Sequence, residues 1–156
     1  VTVAYVGIGS NLDDPRAQVL EALAELDALP HTRVVKKSSL YRTAALGHAE
    51  QPDFINAVAQ LETGLTAERL LDELQEIEAR HGRRRSFPNA PRSLDLDILL
   101  FGDLVLRTRS LEIPHPRMRE RAFVLKPLLE ISPELKTYEA FLDACKDQKI
   151  EIVQRG

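Results

Sequence analysis

Apolar residues along the chain change period several times, and each change marks an element. Residues 1–8 (VTVAYVGI) are dense in β-branched and aromatic side chains and predict a strand, with Gly9-Ser10-Asn11 as its turn. Asp14 and Pro15 open a helix to about residue 29, because Asp suits the N-cap and Pro the first helical position. Val19, Leu20, Leu23 and Leu26 recur at helical spacing and predict its buried stripe. Residues 32–42 predict a second strand and 43–53 a loop. A third strand follows over 54–62, with Ile55, Ala57, Ala59 and Leu61 alternating inward. Thr66 caps a second helix running to about residue 81, whose core face is Leu70, Leu71, Leu74 and Ile77, and Gly82 is a fitting stop. An arginine-rich loop then leads into a fourth strand that turns at Gly102-Asp103 into 104–106. Short helical pieces are expected at 117–121 and 123–130, and 137–156, including Cys145, reads as a packed terminal helix.

The order strand, helix, strand, strand, helix, strand is the split βαβ pattern. It predicts an α+β, ferredoxin-like fold: a mostly antiparallel sheet with helices packed on its faces and C-terminal additions. At 156 residues, with no linker, repeat or low-complexity tract, the chain reads as one domain over 1–156, long enough to bury a core.

Composition narrows the function classes. A net charge of −3 argues against general nucleic-acid binding, which leaves a basic footprint. The arginines nevertheless cluster between 80 and 92 and again between 107 and 121, so a local anion site fits better than a basic surface. One cysteine excludes an internal disulfide and fits a reducing cytoplasm. No apolar run reaches membrane-span length, and no charged region followed by an apolar core suggests a signal peptide. A cytoplasmic enzyme or binding domain is expected.

The sharpest chemical signal is Leu94-Asp95-Leu96-Asp97-Ile98. On a strand the leucines and isoleucine share one face and the two carboxylates the other, with Cα atoms ~6–7 Å apart. Aspartate is depleted in strands, and two like charges on one face need a counter-charge. That spacing can hold one divalent cation or bridge two; the alternative is an ordinary strand face turned to water. Upstream, Gly82-Arg83-Arg84-Arg85-Ser86-Phe87-Pro88-Asn89-Ala90-Pro91-Arg92 is either an exposed loop or an arm that brings guanidinium groups onto phosphates. Pro114-His115-Pro116-Arg117, with Arg119 and Arg121 beyond it, is a second basic cluster, a surface turn or a second phosphate contact. Phe54 and Asn56 share the face opposite Ile55 and Ala57. Such a pair can hold a flat heterocycle and read its edge, or line a half-exposed strand. Gln75 and Glu78 neighbour each other on the polar side of the second helix, where a solvated face is the default. Gly7-Ile8-Gly9 lacks the third glycine of a dinucleotide fingerprint, Leu12 standing there, and reads as a strand-to-helix turn needing small residues. No serine-hydrolase or Walker motif occurs, and the four histidines have no zinc-ligand spacing.

Five motifs in order carry a family resemblance: Gly9-Ser10-Asn11-Leu12, Ser39-Leu40-Tyr41-Arg42-Thr43, Gln51-Pro52-Asp53-Phe54-Ile55-Asn56, Pro91-Arg92-Ser93-Leu94-Asp95-Leu96-Asp97, and Pro114-His115-Pro116-Arg117-Met118 with Arg121-Ala122-Phe123. From Val3 to about Leu135 the chain resembles the 6-hydroxymethyl-7,8-dihydropterin pyrophosphokinase family of folate biosynthesis. The resemblance implies Mg²⁺-dependent transfer of pyrophosphate from ATP to the pterin hydroxymethyl oxygen, releasing AMP. It implies that Asp95 and Asp97 bind two Mg²⁺ and that Arg83 and Arg92 act on the phosphates during transfer. Gln75, Glu78, Arg85, Ile98, His115 and Arg121 match positions around ATP. Phe54 and Phe123 match the rings that stack on the pterin, and Asn56 the amide at its edge, helped by the backbone of Thr43, Ala44 and Leu46. A monomer is implied as well. Phe54 stands where some relatives carry tyrosine, so a hydroxyl contact is absent. Two rivals remain: a kinase releasing ADP, and a ligand-binding module without chemistry.

Overall fold

The structure, a computed structural model, describes residues 1–44, 52–82 and 93–156. In chain order, β1 (Thr2–Ser10) is followed by α1 (Pro15–Asp27), β2 (Thr32–Lys37), β3 (Leu40–Thr43), β4 (Phe54–Thr63), α2 (Ala67–Arg80) and β5 (Asp95–Phe101). A small hairpin of β6 (Leu106–Arg107) and β7 (Glu112–Ile113) leads through a 3₁₀ turn at Met118–Glu120 to α3 (Ala122–Ile131), α4 (Glu139–Ala144) and the last strand, β8 (Ile150–Gln154). The main sheet runs β5-β1-β4-β3-β8, with β2 also paired to β4, and every neighbour is antiparallel. This is the ferredoxin-like order the sequence predicts, extended at one edge.

The helix ends follow their capping chemistry. Asp14 accepts from Ala17 N–H at 3.4 Å with Pro15 at the first helical position, and Thr66 Oγ1 accepts from Arg69 N–H at 3.2 Å. Gly82 follows α2 at φ 90°, a left-handed position open to glycine.

Each face of the sheet carries a core. On one, Ala4, Val6 and Ile8 meet Ile55, Ala57 and Leu61 beneath the stripes Val19, Leu23 and Leu26 of α1 and Leu70, Leu74 and Ile77 of α2. On the other, Tyr5, Val58 and Leu99 pack against Val124, Leu125 and Leu128 of α3. The alternation of β4 is what divides its side chains between the two.

Four expectations are corrected. Gly9 and Ser10 belong to β1, because both edges of that strand are paired out to them: Gly9 faces Asn56 and Asp95. Leu20 is 37% exposed, and Ala22 takes its place in the buried stripe of α1. The expected strand over 32–42 breaks at Ser38-Ser39. There the Ser38 hydroxyl accepts from Val58 N–H at 2.9 Å, standing in for a strand carbonyl. Finally, 137–156 is a 3₁₀ turn, a short α4 and β8, which pairs with β3. The β-branched residues Ile150, Ile152 and Val153 fit that open sheet edge better than a helix.

Candidate active site

Three strands bring the chemistry together on the α3 side of the sheet. Register sets Asp97 opposite Gly7 and Gly7 opposite Val58; one step along, Asp95 faces Gly9 and Gly9 faces Asn56. The central strand thus offers two residues without side chains between an acidic strand and an amide-bearing one. The result is a trough. Its cavity measures about 340 Å³ and is lined by Gly7, Gly9, Thr43, Ala44, Phe54, Asn56, Asp95, Asp97, Leu99, His115, Arg121 and Phe123, among others.

A bulge bounds the acidic stretch of β5. The β1–β5 register slips between Tyr5 and Val6, so Val6 faces Ile98 and Tyr5 faces Leu100. Before the slip Asp95, Asp97 and Leu99 point into the trough while Leu96 and Ile98 are buried in the opposite core; beyond it Phe101 returns to that core.

Asn56 is buried, and its Oδ1 accepts from Thr43 Oγ1 at 2.8 Å, which fixes the amide from the neighbouring strand. Across the cavity, Arg121 lies just before α3 and Phe123 in its first turn, with the Arg121 guanidinium carbon 5.4 Å from the Phe123 ring centroid. Phe54 and Phe123 therefore flank the space on different elements.

His115 follows Pro114, whose peptide bond with Ile113 is cis, and its backbone N–H donates to Leu99 O at 2.9 Å. Arg117 N–H donates to His115 Nδ1 at 3.2 Å, so a neutral ring carries its proton on Nε2, which lies 4.0 Å from Asp97 Oδ1. Burial holds His115 below the ordinary imidazole value; Asp97 opposes this, and Arg121 and Arg117 reinforce it.

Of the residues singled out from sequence, the cavity gathers Thr43, Ala44, Phe54, Asn56, Asp95, Asp97, His115, Arg121 and Phe123. Gln75 is exposed on α2, the Ile98 side chain lies in the α1/α2 core, and Glu78 is buried with Oε2 accepting from Leu96 N–H at 2.9 Å. None of these three lines the trough. Glu78 grips the backbone of β5 between the two aspartates. Leu46, Arg83, Arg85 and Arg92 lie outside the described residues. Gly7 and Gly9 also line the trough, where the sequence reads only as a turn needing small residues. Their spacing of two, which puts both on one face of a strand, was the available signal.

Comparison with known proteins places the chain in a family. A family model for 7,8-dihydro-6-hydroxymethylpterin-pyrophosphokinase (HPPK) matches residues 5–133. A 2-amino-4-hydroxy-6-hydroxymethyldihydropteridine pyrophosphokinase of Pseudomonas aeruginosa is 47% identical over 152 residues, covering 94% of each chain. Its Haemophilus influenzae counterpart is 46% identical over 132 residues, 85% of this chain and 82% of that one. Among solved structures, the Plasmodium falciparum HPPK-DHPS crystallised with pteroate superposes with a TM-score of 0.72 at 13% identity, over 92% of this chain and 42% of that one. That likeness speaks for the fold. The chain spans less than half of the Plasmodium protein but nearly all of the Pseudomonas one, and it belongs to the 7,8-dihydro-6-hydroxymethylpterin-pyrophosphokinase family.

Proposed function

We propose that the chain transfers pyrophosphate from ATP to 6-hydroxymethyl-7,8-dihydropterin, as an ATP-dependent diphosphotransferase of folate biosynthesis, and that the trough is where it does so. In that reaction the hydroxymethyl oxygen gives up its proton and bonds to the β-phosphorus, the bond from that phosphorus to the α,β-bridging oxygen breaks, and AMP leaves. One observation carries the reading. A single cavity in a chain of this family holds a carboxylate pair at one side and an aromatic–amide set at the other.

The pterin ring lies between Phe54 and Phe123, with the Asn56 amide at its edge, since Thr43 turns that amide by holding its oxygen. The backbone of Thr43 and Ala44 completes this end, and Leu46 shares their role by its matching position in the family. The triphosphate lies towards Asp95, Asp97, His115 and Arg121. Matching positions in the family support Arg83 and Arg92 acting on the transferring group and Gln75, Glu78, Arg85 and Ile98 around ATP; Gln75, Glu78 and Ile98 lie outside the trough, so their contacts with ATP fall beyond it. Neutral His115 keeps a donor on Nε2 without being a base.

Asp95 and Asp97 fit Mg²⁺. They are hard oxygen donors opening onto a cavity, and no cluster of three or more His, Cys, Asp or Glu occurs among the described residues. An ion that keeps water and borrows phosphate oxygens suits such a pair better than one needing a full protein cage. Two such ions, when bound, would neutralise the triphosphate and ease formation of an alkoxide-like nucleophile.

Residues 1–156 act as one domain and as a monomer, in the cytoplasm. No helix among the described residues is long and apolar enough to cross a membrane. Incubation with ATP, Mg²⁺ and the hydroxymethyl pterin tests the reading by its nucleotide product. AMP is expected; ADP would indicate a simple kinase, and no turnover a binding module.

A further inference from the structure

The segment 139–156 lies beyond the residues matched by the family model, yet it grips the turn that carries Arg121 and Phe123. Gln148 uses both ends of its amide. Its Oε1 accepts from Ala122 N–H at 2.9 Å, and its Nε2 donates to Glu120 O at 2.8 Å. Only this orientation of the amide serves both partners, because a peptide N–H can only donate and a carbonyl only accept. The two peptide groups held are those on either side of Arg121. Helix α3 has no side chain capping it from Arg121 itself, so Gln148 supplies from a distance an acceptor that the helix start otherwise lacks.

Gln148 is itself anchored. Its backbone N–H donates to Cys145 O at 2.9 Å, and Cys145, buried, has its Sγ 3.9 Å from Arg119 O. The Arg119 guanidinium carbon lies 5.1 Å from the Phe141 ring centroid, tying the same turn to α4. Gln148 and Phe123 also line a small cavity with Thr43 and Ala44, at the rim of the larger one.

We infer that Gln148 is a positioning residue for both substrates, fixing the backbone on either side of Arg121 and the helix start that presents Phe123. The inference rests on the roles given above to those two side chains. Neither contact involves the reacting atoms, so the effect falls on substrate affinity more than on the chemical step.

Gln148→Met, nearly isosteric but without the amide, should raise KM for ATP and for the pterin about 3- to 10-fold each while kcat stays within about twofold. In an Arg121→Ala background the same change should move the ATP KM by less than about twofold, because residues acting through one another are not additive. Gln148→Glu, a second variant, keeps the acceptor at the helix start but faces Glu120 O with a carboxylate oxygen in place of the donor, so both KM values should again rise above wild type. Unchanged KM values with only a lowered Tm, or an ATP KM effect of full size in the Arg121→Ala background, would overturn the inference. Failure of the wild-type chain to form AMP would overturn the functional reading instead, so the two are told apart.

Discussion

Gly9 lies opposite Asn56 across the β1–β4 ladder, and a Cβ built on Gly9 would come within 2.8 Å of Asn56 Nδ2. That is closer than a real Cβ contact, and Asn56 cannot swing aside freely because it is buried and held by Thr43. The glycine is the space in which the amide sits.

Gly9→Ala should therefore fold, since β1 needs no unusual dihedral there, but should displace the amide and break its bond to Thr43. The pterin KM should rise about tenfold with the ATP KM little changed, roughly the cost of one hydrogen bond. Steady-state kinetics with each substrate varied separately checks this. An equal rise in both would mean a general disturbance of the trough.

Asp97 is half exposed on a strand and makes no contribution to either core. Asp97→Ala should leave the circular dichroism spectrum nearly unchanged and lower turnover by about 100-fold or more, as loss of a main electrostatic stabiliser does. Retained activity would remove the aspartate from the cation site.

His115 is held below the ordinary value of 6.5, first by burial. In the metal-free protein its ring should titrate with a midpoint below 6.5, followed by NMR. Asp97→Asn should lower that midpoint further, because the Asp97 charge favours the protonated ring. For stability the sign is fixed: between the folded and unfolded pKa values the unfolded chain binds more protons, so this contribution is complete above pH 6.5 and is lost as pH falls through the folded value. His115→Asn should flatten that part of the pH–Tm curve.

Glu130 joins α3 to β3 through three donors: Ser39 N–H at 2.9 Å, Ser39 Oγ at 2.7 Å and Tyr41 OH at 2.6 Å. Burial and that bond push the Tyr41 phenol well above its usual range, so it stays a donor at any working pH. Glu130→Ala strands three donors on two buried residues and should cost about 1–3 kcal/mol in urea unfolding. Tyr41→Phe removes donor and need together and should cost less.

The sequence by itself determined the alternation of strands and helices as far as β5, the helix caps and the side-chain phase of β4 and β5, because these are local: Asp14-Pro15, Thr66 and the alternation 54–61 act within a few residues of themselves. It also determined the family, through five motifs in order. Only the tertiary structure decided how those motifs meet. The role of Gly7 and Gly9 depends on two flanking strands that the local sequence does not mention. The strand at the C-terminus depends on β3 offering a free edge, and the hold of Gln148 on the turn at Arg121 joins residues 26 positions apart. Local chemistry chose the side chains; register between strands and the packing of distant segments assembled them into one cavity.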